Sequence, residues 1–168
     1  MKTLFLLRHA KAESGSTGSP DFDRALNDRG RKEAQAVGAF IRKQNLGLDL
    51  VLSSTAKRAR ETTELVLASA NLTVDVRYDQ RIYEAGSLRL LEVVSEIEED
   101  RSSVLLVGHN PGMEELLQLL TGRLEHMATG TVAKIDLKAD RWNQALETKG
   151  SLDWLVKPKE QGLNSPHR

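Results

Sequence analysis

Residues 3–11 read Thr3-Leu4-Phe5-Leu6-Leu7-Arg8-His9-Ala10-Lys11, an apolar run that breaks abruptly into charge. A short run without polar alternation is the mark of a strand covered on both faces, so Thr3–Leu7 is read as a central strand of a parallel sheet. Open α/β sheets take their ligands beyond the carboxyl ends of their strands. Arg8 and His9 therefore stand where chemistry is expected.

Outward from this strand the chain alternates strand and helix patterns. Residues 13–23 hold Gly15, Gly18, Pro20 and three serines and read as a loop, after which Asn27 or Asp28 is placed to cap a helix with Ala34, Val37, Gly38 and Ile41 on its apolar stripe. Asp49–Ser53 predicts a strand, and Ser54 or Thr55 the cap of a helix running to about Ser69. Thr73–Arg77 predicts a strand, 88–97 a helix whose Leu/Val/Ile stripe covers the core, Ser103–Val107 a second buried strand and Pro111–Leu120 a helix. Thr131–Leu137 and Leu152–Val156 predict two closing strands, antiparallel at an edge because few residues separate them. Such alternation predicts an α/β fold with a mainly parallel sheet. Trp142 and Trp154 are expected to bury their rings in the core or under the tail. The expected organisation is a single domain over residues 1–158 followed by a loose tail, 159–168.

The 168 residues fit one domain, and 24 Lys plus Arg balance 24 Asp plus Glu, so no overall field favours nucleic acid or an anionic membrane. Cysteine is absent, which excludes disulfides, cysteine zinc sites and every thiolate mechanism. The apolar run at 4–7 is too short for a secretory segment and no later stretch reaches membrane-spanning length, so a cytoplasmic protein is the expectation.

Three strand-to-helix junctions share one chemistry. The first carries Arg8-His9-Ala10-Lys11. The second carries Ser54-Thr55-Ala56-Lys57-Arg58 and places Arg58 in the first turn of a helix, whose amino end attracts anions. The third carries Gly108-His109-Asn110-Pro111-Gly112, where Asn110 suits an N-cap and Pro111 the first helical position. Two histidines and two arginines converging there, with no carboxylate cluster at metal-ligand spacing, describe a pocket for a dianionic phosphoryl group. A neutral imidazole can attack phosphorus, so phosphoryl transfer without metal or cofactor is the expected chemistry.

Leu6-Leu7-Arg8-His9-Ala10, Ser54-x-x-x-Arg58-Ala59-x-x-Thr62 and Gly108-His109-Asn110-Pro111, in this order, resemble the histidine phosphatase superfamily, and the short chain resembles its compact SixA-type phosphohistidine phosphatase branch. Asn27-Asp28-Arg29-Gly30 resembles the family's Leu-Thr-x-x-Gly segment, with Asn27 where Thr is usual. Ala10 stands where the wider superfamily often has Gly. The resemblance implies a phosphoglycerate mutase-like three-layer α/β/α fold. It also implies a phosphohistidine intermediate on His9, phosphoryl contacts from Arg8, Arg58 and His109, and an acidic proton donor for which Glu84, in Arg81-Ile82-Tyr83-Glu84-Ala85-Gly86, is the candidate.

The expected substrate is a phosphorylated protein, a phosphohistidine domain above all. The alternatives are a phosphoserine or small-phosphometabolite phosphatase, a mutase, or a phosphate-binding module without turnover. Lys11, Arg24, Arg29, Arg31, Lys57 and Arg60 could rim the pocket for an acidic partner or could simply be solvated. His126 and His167 are assigned no role.

Overall fold

The computed structural model describes residues 1–15 and 18–159. Its elements are β1 (Lys2–Arg8), α1 (Asp28–Lys43), β2 (Leu50–Ser53), α2 (Lys57–Ala70), β3 (Asp75–Tyr78), α3 (Ser87–Ser95), β4 (Ser103–Gly108), α4 (Gly112–Thr121), β5 (Val132–Leu137) and β6 (Ser151–Val156). Short 3-10 turns occupy Asp21–Asp23, Gln80–Ile82 and Trp142–Gln144. The six strands form one sheet in the order β3-β2-β4-β1-β5-β6. The first four run parallel, β5 is antiparallel to β1, and β6 is antiparallel to β5. The expected α/β class, mainly parallel sheet and antiparallel edge pair are all present.

Alternation along the central strands sorts the core into two layers. Leu4 and Leu6 of β1, with Val104 and Leu106 of β4, face Leu90, Val93 and Val94 of α3 and Met113, Leu116 and Leu117 of α4. Phe5 and Leu7, with Leu105 and Val107, face Ala34, Val37 and Ile41 of α1 and Ala59 and Val66 of α2. Because successive side chains of a strand point to opposite faces, an unbroken apolar run can fill both layers at once. Trp142 is buried, its indole N–H donating to the Arg101 carbonyl at 2.7 Å. Trp154 lies half-buried against Phe5 and Phe40 on the α1 side.

Two helix starts differ from expectation. α2 begins at Lys57 with Ala56 at its N-cap position, and the Ser54 hydroxyl instead accepts from the Ala56 N–H at 3.1 Å. Pro111 takes the N-cap position of α4, following a cis Asn110–Pro111 bond; the Asn110 side chain donates to Glu114 and to the Met127 carbonyl and so does not cap. Asn27 does cap α1, its Oδ1 accepting from the Gly30 N–H at 2.8 Å. The tail expected at 159–168 lies, from residue 160 on, outside the described residues, and His167 with it. Among the described residues no helix is long and apolar enough to cross a membrane.

α1 and α2 meet closely at Gly38, where a Cβ would stand 2.4 Å from the Val66 carbonyl oxygen and 2.5 Å from the Ser69 Cβ. The obstruction is partly backbone, so Gly38→Ala has to part the helices; overpacking of this kind costs about 1–3 kcal/mol. Urea denaturation should show that loss, with a lowered midpoint and an unchanged slope, while specific activity of the folded fraction is kept.

Candidate active site

Strand register builds the site. Arg8 pairs with Gly108 across β1 and β4, and Ser53 with Val107 across β2 and β4. The ladder continues one step past the strands, with the His9 N–H donating to the Gly108 carbonyl at 3.0 Å and the Ser54 N–H to Val107 at 3.1 Å. His9, His109 and Ser54 thus leave three neighbouring strands at the same level. The two imidazole centroids lie 5.0 Å apart. Arg58 comes in as the second residue of α2, and the Thr62 hydroxyl one turn later accepts from the Ala10 N–H at 3.0 Å while donating to the Arg58 carbonyl at 2.7 Å.

Both histidines are buried. His9 Nδ1 stands 2.7 Å from the Ala10 carbonyl oxygen. A carbonyl only accepts, so Nδ1 carries the ring proton in this contact and Nε2 keeps its lone pair. Burial, reinforced by the Arg58, Arg8 and Arg24 charges and opposed by the Ala10 bond, lowers the His9 pKa to about 4. His109 is lowered to about 3, again by burial first and then by His9 and the arginines, with Asp21 acting the other way. Both rings are neutral at neutral pH. His109 Nε2 meets the Ser54 hydroxyl at 2.7 Å.

The arginines are held from one side only. Arg8 Nη1 donates to the Met127 carbonyl at 3.1 Å. That carbonyl sits in a clasp where the Glu114 Oε2 accepts from Asn110 Nδ2 at 2.9 Å and from the Met127 N–H at 2.7 Å. Arg58 donates through Nη1 to the Asp21 carbonyl at 2.8 Å and through Nη2 to the Asp21 carboxylate at 3.0 Å. Arg8 Nε, Arg58 Nε and His109 Nδ1 are buried with no hydrogen-bond partner among the described residues. Buried polar groups are ordinarily paired. Three such nitrogens around one imidazole are what an oxyanion would satisfy.

The predicted site residues Arg8, His9, Arg58 and His109 thus come together. Glu84 does not touch them: it is exposed, at φ 53°, following the 3-10 turn at Gln80–Ile82, and its charge reaches Tyr83. Of the basic residues considered as a rim, Arg24 bonds Asp21 and Glu13, Arg29 lies 3.7 Å from Glu33, Arg31 pairs with Asp28, and Lys11, Lys57 and Arg60 are exposed. His126 is exposed and pairs with Glu114 at 2.9 Å. Among the described residues no group of three or more His, Asp or Glu stands together as a metal site would. Sequence reading missed Asp21 and Tyr83. Asp21 lies 37 residues before Arg58 in a loop without periodicity, and neither residue follows a predicted strand directly, so no local signal marked them.

Comparison with known proteins agrees with this geometry. The family model for the histidine phosphatase superfamily (branch 1) matches residues 4–88, about half of the chain. An uncharacterized protein of Mycobacterium tuberculosis, Rv1276c, is 33% identical over 144 residues, covering 86% of this chain and 83% of its own. Among solved structures, a candidate phosphohistidine phosphatase SixA from Nakamurella multipartitia superposes with TM-score 0.83 and 30% identity over 94% of this chain and 96% of that one. Its counterpart from Agrobacterium tumefaciens gives 0.81 and 32% over 94% and 98%. The chain belongs to the histidine phosphatase superfamily, in its branch 1, and is a phosphohydrolase.

Proposed function

We propose that the chain hydrolyses phosphohistidine, carried on a protein, through a covalent intermediate on His9. The observation that carries this reading is the His9 ring itself, pinned at Nδ1 with a lone pair on Nε2, beside three buried donors that lack partners among the described residues. In the first step Nε2 attacks phosphorus and the bond from phosphorus to the substrate nitrogen breaks, its electron pair going to an imidazole that leaves neutral once protonated. In the second, water attacks the phosphorylated His9 and releases inorganic phosphate, returning the ring. Arg8 and Arg58 contact the phosphoryl oxygens, and His109 adds a donor through Nδ1 when the Ser54 hydroxyl donates to its Nε2. The likeness to SixA-type structures at 30% and 32% identity supports a phosphohistidine substrate, and exposed Lys11, Lys57 and Arg60 fit an acidic protein surface. Residues 1–158 form the working unit.

Glu84 is proposed as proton donor for substrates whose leaving group needs one. Three non-glycine residues have left-handed backbone among those described; Asn45 and Asn71 end helices, where that conformation is usual, and Glu84 is the third. Strained backbone gathers at functional sites. A phosphoserine leaves as an alkoxide unless protonated, whereas a phosphohistidine ring takes its proton from solvent near neutral pH. Glu84→Gln should therefore slow phosphoester hydrolysis by about 10² to 10⁴-fold and phosphohistidine hydrolysis only slightly. Rates of both proteins on both substrates check it, and equal losses would remove the assignment.

His9→Ala should abolish turnover with unchanged circular dichroism. Arg8→Ala, Arg58→Ala and His109→Ala should each cost about 10² to 10³-fold, the usual loss for one donor to developing charge. Substantial residual activity in a folded His9→Ala protein would reject the nucleophile, and phosphate binding without turnover in the unmodified protein would favour a binding module.

The acid limb of kcat/KM should lie near pH 4 and not at 6.5, since His9 loses its lone pair only below its lowered pKa. The same shift sets stability. As pH falls below 6.5 the unfolded chain takes up protons on both rings, while the folded rings resist until about 4 and about 3. Their contribution is complete above 6.5 and is lost progressively as pH drops toward those values. Melting temperatures between about pH 7 and 4.5 should fall accordingly, and His9→Asn should flatten the slope.

A further inference from the structure

We infer that Asp21 is a positioning residue for the phosphoryl group: by gripping both terminal nitrogens of Arg58 it fixes which N–H groups that guanidinium presents. The inference rests on the reading of Arg58 as a phosphoryl ligand. A guanidinium has five N–H donors in a rigid plane. Asp21 takes one from Nη1 with its main-chain carbonyl at 2.8 Å and one from Nη2 with Oδ2 at 3.0 Å. Nε–H is left buried and without a partner among the described residues. Together with the second N–H of an adjoining terminal nitrogen it makes a two-pronged edge, the geometry that matches two oxygens of one phosphoryl group.

Asp21 is itself secured by two further donors. Tyr83 Oη donates to Oδ2 at 2.7 Å, and Arg24 Nε donates to Oδ1 at 2.9 Å. Arg24 is in turn tied to the Glu13 carbonyl at 2.8 Å. The Tyr83 ring meets both Phe22 and His109 edge-on, with centroids at 5.1 and 5.5 Å, and Arg58 lies 5.9 Å from its centre. The 3-10 turn Asp21–Asp23, Arg58 and the second histidine are thereby joined through one aromatic ring. Arg58 is buried, so the protein and not solvent must set the plane of its guanidinium.

Two other roles for Asp21 fit less well. The Tyr83 hydroxyl, with Arg58 and Arg24, holds its carboxyl down at about 2, so at neutral pH it has no proton to give a leaving group. It also leaves Nε uncontested, so it does not stand in for the substrate at that edge.

The test uses the full chain with Asp21→Asn, Asp21→Ala and Tyr83→Phe, each in the wild-type and in an Arg58→Ala background. Steady-state rates are measured on an aryl phosphate and on a peptide phosphorylated on histidine, with orthovanadate as inhibitor. Loss of one hydrogen bond to a charged group predicts that Asp21→Asn raises the orthovanadate Ki and both KM values about tenfold, leaving the ratio of kcat/KM between the two substrates unchanged. Tyr83→Phe should act in the same direction by a smaller factor, and keeps the test open if the Asp21 variants do not fold. In the Arg58→Ala background Asp21→Asn should change the Ki less than about twofold. Tighter orthovanadate binding, a loss confined to the aryl ester with Ki unchanged, or an equal effect with and without Arg58 would each overturn the inference. An Arg58→Ala protein with unaltered orthovanadate Ki would instead overturn the reading of Arg58 on which it stands.

Discussion

Parallel pairing of β1 with β4, in the register that sets Arg8 opposite Gly108, is the constraint from which the remaining geometry follows. In a parallel ladder both strands end at the same side of the sheet, so the residues that follow them emerge together. His9 and His109, distant in sequence, become neighbours with ring centres 5.0 Å apart for this reason alone. A slip of one residue would turn every β1 side chain to the other face of the sheet. Phe5 and Leu7 would then meet the α3 and α4 layer, and Leu4 and Leu6 the α1 and α2 layer. Burial on both sides thus fixes the register, and the register fixes the histidines. Packing of the core and placement of the site are one problem with one solution.

Such a site has to tolerate its own charge. Arg8 and Arg58 bring two cations to a place where both imidazoles are buried, and burial opposes every charged form there. The histidines respond by staying neutral. The arginines stay charged and are met by neighbouring acceptors: the Met127 carbonyl for Arg8, with Glu114 and Glu33 contributing charge, and Asp21 for Arg58. Each acceptor holds its guanidinium without covering it, which leaves both Nε–H groups for a ligand. On the proposed reading these donors are aimed before a phosphoryl group arrives, and preorganisation of that kind is the main source of electrostatic stabilisation in enzymes.

The sheet, its parallel order and the four helices were legible because runs such as Leu4–Leu7 and Val104–Val107 are apolar on both faces and end sharply. Arg8, His9, Arg58 and His109 were legible for a related reason, since each closes or follows a strand or opens a helix. Helix starts were read less well where a side chain serves a tertiary partner. Ser54 bonds His109 as well as the Ala56 N–H, and Asn110 is drawn to Glu114 and Met127, so propensity for a cap could not foretell either. Asp21 and Tyr83 escaped altogether. Their importance lies in contacts 37 and 62 residues away in the chain, formed by a loop whose composition announces only a turn.

The stretch Asn27–Gly30 shows how a motif without chemistry of its own can serve the site. Asn27 caps α1 and points its first turn at the segment after His9. A Cβ on Gly30 would lie 1.9 Å from the Lys11 carbonyl oxygen, so only glycine lets the helix approach so closely. That approach brings Glu33, one turn on, to accept from the Lys11 N–H at 2.9 Å, while its other oxygen meets Lys157 at 3.0 Å. Gly130 packs against the same side chain, and its own N–H donates to the Arg8 carbonyl at 3.0 Å. The backbone on either side of His9 is therefore held by α1 from below and by the segment before β5 from the side. A side chain at the end of a strand would otherwise share the mobility of the loop that follows it. The Ala10 carbonyl at Nδ1 orients the ring itself, and these backbone contacts hold the segment that carries it, so a capping residue and a glycine serve the proposed site without contributing a functional group to it.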